Sequence, residues 1–536
     1  MNIPTGSRYL FFIIVGISIT ALFIYLSDNA HIAKVEQNFP GNATTFDEGK
    51  RLSQKYCSGC HLYPKPSLLP KQTWTSSVLP AMGPLLGIFK HKFDTYPTET
   101  DPNLPRDYYP SEPQISSTEW QKILDYYKKA APGEFNKREK KQEILDDKFL
   151  FKARFPELRT KNTPKLTAVR FDTRNQLIYA ADANLKKFLT FNNDLELIHM
   201  FASPAPISDI RIRNTENDVW GKQELLLTFI GRLLPTDAPA GSVKSILYNS
   251  LGTELISDSL LLNNLTRPVE SKWTDLNQDG LDDLLISEFG HRTGKLFWVE
   301  NIGKTFAAQK NVLLDTPGCI QTDIKDINKN GLQDIIALCT QTDQAIYLFE
   351  NQGKGNFLKT TLLQFQITAG SSSFEIHDFN SDGHPDILYT SGDNADYSTI
   401  FKPYHGVYIF LNDGNNNFTE EWFYPLHGAY NAQAHDFNND GRLDIAVIAF
   451  YADYENHPEE GFVFFKNEGN LKFTPYHHPK ASAGRWITMD IADWNDDGNK
   501  DILLGNFSEG SFNTPDSLQA EWQAGPYFLL LENRQE

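Results

Sequence analysis

Cysteine is scarce in this chain: four residues among 536, at positions 57, 60, 319 and 339. That excludes a scaffold built on disulfides and leaves none near the N-terminus for lipidation. Methionine is equally rare, with four residues. Basic charge is in deficit, 50 Lys and Arg against 68 Asp and Glu for a net −18, so nothing marks the chain for nucleic acid. The long apolar run is Leu10–Leu26, "LFFIIVGISITALFIYL", near the lower limit for spanning a bilayer. Arg8 precedes it and Asp28 and Glu36 follow, so the positive-inside bias keeps the N-terminus cytoplasmic and sends the body outward. With no A-x-A-like cleavage site at the expected distance, a signal anchor is favoured over a cleaved signal peptide. The expected location is a bacterial inner membrane with the body facing the periplasm, or export to the periplasm or cell surface.

Two of the four cysteines stand three apart in "YCSGCH" (56–61), with a histidine directly after. A disulfide there would close a tight, strained loop and leave His61 unexplained. Half of many zinc sites reads CxxC, but Cys319 and Cys339 lie far away and lack that spacing. No βαβ pattern surrounds the pair, which argues against a thioredoxin-like redox site. Covalent haem attachment uses every residue: Cys57 and Cys60 as thioethers and His61 on the iron.

The flanks extend this reading. In "TTFDEGKRLSQKY", Thr45 and Glu48 have capping-box spacing, and Phe46, Gly49, Leu52 and Tyr56 recur at helical intervals. Prolines keep "LYPKPSLLP" extended, and Met82 falls in a short loop among Pro80, Gly83 and Pro84. "SSTEWQKILDYYKKAAPG" predicts a closing helix with Trp120, Ile123, Leu124 and Tyr127 on one face. Residues 41–133 resemble a small monohaem cytochrome c domain. That resemblance implies one covalent haem c with His61 proximal and Met82 distal; His91 is the rival distal ligand, and Met82 as core filler is the plain alternative.

A charged stretch, 134–147, reads as a solvated linker, after residues 1–40 (anchor and linker) and the haem domain. Residues 41–133 are near neutral, eleven Lys and Arg against nine Asp and Glu, so the acidity lies mostly beyond them. There the chain repeats. "DLNQDGLDD", "DINKNGLQD", "DFNSDGHPD", "DFNNDGRLD" and "DWNDDGNKD" begin at 275, 326, 378, 436 and 493. Oxygen-bearing side chains stand at positions 1, 3, 5 and 9, with glycine at 6. This is a calcium-ligand plan, and the flanks are β-rich without the helices or position-12 Glu of an EF-hand. The candidate ligands are Asp275, Asn277, Asp279 and Asp283; Asp326, Asn328, Asn330 and Asp334; Asp378, Asn380, Asp382 and Asp386; Asp436, Asn438, Asp440 and Asp444; and Asp493, Asn495, Asp497 and Asp501. The alternative is metal-free Asx turns. The second loop has one carboxylate fewer and is expected to bind most weakly.

Strands ending near Asn recur as "LFWVEN", "IYLFEN", "VYIFLN", "FVFFKN" and "YFLLLEN", with degenerate copies at 187–192 and 245–250. That makes seven units of four strands, the early two having lost the calcium pattern near Asp172 and Asp209. Residues 148–536 resemble FG-GAP or VCBS repeats, which implies a calcium-bearing seven-bladed propeller like the N-terminal fold of integrin α chains. "DDKFLFKARF" (146–155) is expected to supply the outer strand that the last blade lacks, or else to cap the outside.

The expected architecture is multidomain: a transmembrane or signal helix, a small all-α haem domain and an all-β propeller. The expected function is one-electron transfer to an unnamed redox protein, with the propeller as a docking scaffold. The alternatives are a propeller dehydrogenase feeding its own haem and a surface propeller with a protein or glycan ligand. No catalytic constellation is visible. His377 and His435, with Glu375 and Asp490 two residues further back in register, are the features that bear on the dehydrogenase. Cys319 and Cys339 flank the second calcium loop symmetrically, which places them opposite each other in a hairpin as a disulfide or as two buried thiols.

Overall fold

The computed structural model describes residues 44–135, 142–147, 150–158, 162–214, 223–248, 255–394, 400–509 and 514–534. Leu10–Leu26 lies outside them; among the described residues no helix is long and apolar enough to cross a membrane. A small helical module, 44–135, precedes seven antiparallel sheets that follow in chain order. The first strands of blades 1 to 7 are Leu166–Asp172, Ile207–Asn214, Pro268–Thr274, Cys319–Lys325, Ser371–His377, Ala429–His435 and Trp486–Ala492. They touch in cyclic succession, the last meeting the first, and so form the inner ring of a seven-bladed propeller.

Burial explains the strand sequences. The second strands of blades 3 to 7, "DLLISE", "DIIALC", "DILYTS", "DIAVIA" and "DILLGN", are buried at every residue because both faces meet neighbouring blades. Outer strands are more exposed, and one of them, Leu197–Ala202, alternates half-buried with exposed residues. Phe151–Arg154 pairs antiparallel with Leu530–Asn533 and completes blade 7, the closure expected for "DDKFLFKARF". The linker is shorter than expected, since Leu145–Asp146 already adds a parallel fifth strand to blade 6 beside Tyr476–His477.

Each blade junction is bridged by an inner-strand side chain reaching the next blade's backbone. Asp490 accepts from Phe171 N (2.7 Å), Glu270 from Thr322 N (2.7 Å), Gln321 from Phe374 N (3.2 Å) and Glu375 from Ala434 N (2.8 Å). Arg170 donates to Ile210 O (3.0 Å), Gln433 to Met489 O (3.1 Å) and Ser208 to Pro268 O (3.1 Å). Cys319 and Cys339 stand in register on the first two strands of blade 4 and are joined as a disulfide.

The recurrent Asn at the end of the third strand has a structural task. Asn412 is buried; its amide donates to Pro385 O (3.1 Å) and its oxygen accepts from Gly414 N and Asn416 N, both at 3.0 Å. Asn351 and Asn467 repeat the pattern. Asn412→Ala is expected to destabilise the propeller by about 1–3 kcal/mol, because it leaves buried backbone groups unpaired, whereas Lys354→Ala on the surface stays within about 0.5 kcal/mol. Denaturant titration of both variants checks this.

Candidate haem-attachment and calcium sites

In the module, α1 (Thr45–Cys57) packs against α2 (Ser117–Ala130). Gly49 marks the crossing, where a Cβ would stand 2.3 Å from Lys122 O. The capping box lies one residue earlier than expected: Thr44 is extended (φ −63°, ψ 155°) and pairs with Asp47, while Glu48 turns to Arg51. On α2, Trp120, Ile123, Tyr126 and Tyr127 are buried, and Leu124 is only partly so.

Helix α1 ends at Cys57, so both cysteines and His61 share the turn after it. The two thiols are not bonded to each other. Cys57 is half-buried, and burial pushes its thiol up to about 12, whereas Cys60 is exposed. His61 Nδ1 donates to Leu62 O at 2.9 Å. Beyond it, prolines at 64, 66 and 70 remove backbone donors, so no regular ladder forms and side chains take the carbonyls. Tyr127 donates to Pro64 O (2.7 Å) and Trp74 to Pro66 O (2.9 Å).

Met82 closes a single helical turn, Leu79–Met82, rather than lying in open loop, and is partly buried. His91 is buried with both ring nitrogens engaged on α2, Nε2 with Gln121 Oε1 (2.8 Å) and Nδ1 with Ser117 Oγ (3.2 Å).

The module sits on the propeller. Asp101 accepts from Asp237 N at 2.6 Å, and Glu99 pairs with Arg292 and His291. Tyr404 donates to Leu68 O at 2.9 Å, and Ile400 packs into the module's core. These propeller residues all lie between second and third strands, of blades 2, 3 and 5. Turns alternate ends in an up-and-down sheet, so the Asp/Asn loops, between first and second strands, occupy the opposite face.

Those five loops share one backbone. Position 4 takes a positive φ at Gln278, Lys329, Ser381, Asn439 and Asp496, and so does the glycine at position 6. A Cβ on Gly280, Gly331, Gly383, Gly441 or Gly498 would meet nothing, so conformation rather than space selects glycine there. Asp275, Asp326, Asp378, Asp436 and Asp493 each accept the N–H of the position-6 glycine, between 2.7 and 3.0 Å.

The position-9 carboxylates are fully buried and hold two backbone donors each. Asp283, Asp334, Asp386, Asp444 and Asp501 accept from the residue at loop position 2 and from the terminal Asn of the third strand. Burial pushes all five upward, with neighbouring acids adding to it, and Asp444 and Asp501 reach about 7. Among the described residues no group of three or more His, Cys, Asp and Glu converges as a metal cluster. As folded, Asn277, Asn380 and Asn495 donate to Asp279, Asp382 and Asp497, and in blade 6 the Arg442 guanidinium lies on Asp440. Asp172 does sit at the first turn of blade 1, but Asp209 does not occupy a turn: it lies within an inner strand, in register with Thr228 of the second strand, and its side chain meets Arg211.

The channel holds a charge network that sequence reasoning missed, apart from Asp490. Asp490, Arg170, Asp209, Arg211, Glu270 and Lys272 alternate in sign across blades 7, 1, 2 and 3, at 2.7, 3.8, 3.0, 2.6 and 3.2 Å. Against the burial that would raise it, Lys272 and Arg211 hold the Glu270 carboxyl below its ordinary value. His377 pairs with Glu375 at 2.9 Å, and burial lowers His435. Glu375 and Asp490 each accept a backbone N–H of the next blade, from Ala434 and Phe171.

A family model described as "FG-GAP-like repeat" matches residues 326–389 and 392–447. These stretches are FG-GAP-like repeats. The first FG-GAP-like match starts on the Asp/Asn loop of blade 4, so the repeat as matched straddles two blades. No curated protein matches the chain. Among solved structures, BBS1N in complex with ARL6DN is 9% identical (TM-score 0.45; 72% of this chain, 97% of that one). The Neurospora crassa Pan2 WD40 domain is 10% identical (0.43; 73% and 97%), and Saccharomyces cerevisiae Sqt1 is 7% identical (0.42; 73% and 100%).

Tyr127→Phe removes the buried donor to Pro64 O and is expected to destabilise the helical module by about 1–2 kcal/mol. Near-ultraviolet circular dichroism through a urea titration measures it.

Proposed function

We propose that the protein is an exported, membrane-anchored c-type cytochrome that carries single electrons, with its propeller serving as a calcium-stabilised interaction scaffold. The reading is carried by the turn after α1: two unjoined thiols three residues apart, followed by an imidazole whose Nδ1 is occupied by Leu62 O. This donor set fits a covalently attached haem, since the carbonyl fixes the tautomer and leaves Nε2 for iron. Cys57 and Cys60 would hold the porphyrin, and His61 and Met82 would hold its iron. When bound, the haem supplies a one-electron couple; the protein's own share is to orient His61 and exclude water. The commitment of both His91 nitrogens to α2 supports Met82 as the distal ligand.

Calcium is the second part of the proposal. The loops offer oxygen at positions 1, 3 and 5 on the exposed face, and a divalent cation there would offset the mutual repulsion of these acids. Arg442 supplies a competing cation in blade 6, while the loop at 326–334 has the fewest carboxylates.

Cys57→Ala or Cys60→Ala should weaken or abolish covalent haem, detected by haem staining of the denatured protein. Met82→Ala should keep covalent haem yet lose the sulfur-to-iron absorption band and lower the reduction potential, because a thioether favours ferrous iron. Survival of that band in Met82→Ala would reassign the distal ligand.

Chelation should lower the melting temperature of the propeller, since ions bound only by native loops stabilise it by mass action, about 2.7 kcal/mol for one site at 100 Kd. Calorimetry with and without chelator reads this; an unchanged transition would reduce the loops to Asx turns.

A further inference from the structure

Four alternate carbonyls follow His61, and each takes one side-chain donor: Leu62 O from His61, Pro64 O from Tyr127, Pro66 O from Trp74 and Leu68 O from Tyr404. Three of those donors belong to the helical module. The fourth comes from blade 5, 336 residues along the chain from its acceptor. Tyr404 is itself anchored, its hydroxyl 2.9 Å from Thr368 Oγ1, and Ile400 of the same loop packs against the core that holds Leu69 and Trp74. The Glu99 and Asp101 contacts with blades 2 and 3 fasten the module at another point. The proline-rich stretch that follows His61 is thus held in part by the propeller.

We propose that Tyr404 is a positioning residue for the haem: by fixing the wall from His61 to Leu69, the propeller sets how well the proximal side is closed to water, and therefore the reduction potential. The inference rests on the c-type haem reading of Cys57, Cys60 and His61. Ferric haem carries one more positive charge than ferrous haem, so water admitted by a loosened wall favours the ferric state. Weakening the Tyr404 contact therefore lowers the potential without breaking either thioether.

The test uses the full-length holoprotein with Tyr404→Phe, Ile400→Ala and, as a control in blade 4, Tyr347→Phe. Covalent haem on the denatured protein is read first, and its absence from the unmutated protein would sink the haem reading and this inference together. With haem present in all, redox titration is expected to show the ferrous-to-ferric ratio at fixed potential falling about three- to tenfold in Tyr404→Phe and Ile400→Ala, tenfold being ~59 mV for one electron. Tyr347→Phe should leave it unchanged. Variants that melt lower but keep the original potential would make Tyr404 a purely structural contact and overturn the proposal. Should Tyr404→Phe fail to accumulate, Ile400→Val, which trims one methyl group, is judged by the same criterion.

Discussion

A buried carboxylate accepting two backbone N–H groups recurs in five of the seven blades, and the regular part of the propeller depends on it. In each case one oxygen takes the donor at loop position 2, and the other takes the donor at the end of the third strand. One side chain therefore ties the turn between strands one and two to the far end of strand three. Without it, the turn and the end of strand three would each leave an orphan donor. The same constraint accounts for the Asn that ends the third strand, whose amide closes the neighbouring carbonyl.

The inner ring extends this logic across blades. Polar side chains that would look catalytic in isolation, Glu375 and Asp490 among them, are occupied in holding the next blade's backbone. The alternating charges from Asp490 to Lys272 neutralise one another along half of the channel. A propeller built this way presents its variable chemistry at the two rims. One rim holds the helical module, and the other holds the Asp/Asn loops.

The parts that repeat were legible in the sequence. The spacing of Asp, Asn and Gly in the loops, the strand-terminal Asn and the orphan strand near 151 all carry local, periodic signals, and all lie where the pattern places them. Side-chain contacts that join distant segments once only were not legible. Nothing in the sequence relates Tyr404 to Leu68 or Arg170 to Asp490, because each pairing occurs once and spans more than 300 residues. Asp209 opens no loop, for a local reason: the alternation of "DIRIRN" keeps the chain extended as far as Asn214. At α1, Thr44 and Thr45 each precede an acid by three residues, and only the backbone conformation chooses between them.

The strand at Phe151–Arg154 is made near the start of the propeller, yet its partner, Phe528–Asn533, follows every other propeller strand in the chain. Arg154 and Glu532 stand 378 residues apart, and joining ends at that separation costs about 5 kcal/mol of chain entropy by the logarithmic loop rule. During synthesis the first strand therefore waits, without its ladder partner and carrying Phe151, until Phe528–Asn533 emerges. Six blades can assemble in that interval, but the ring stays open. Completion of the propeller thus waits on Phe528–Asn533, and a chain cut short before that strand would leave the seam unsealed.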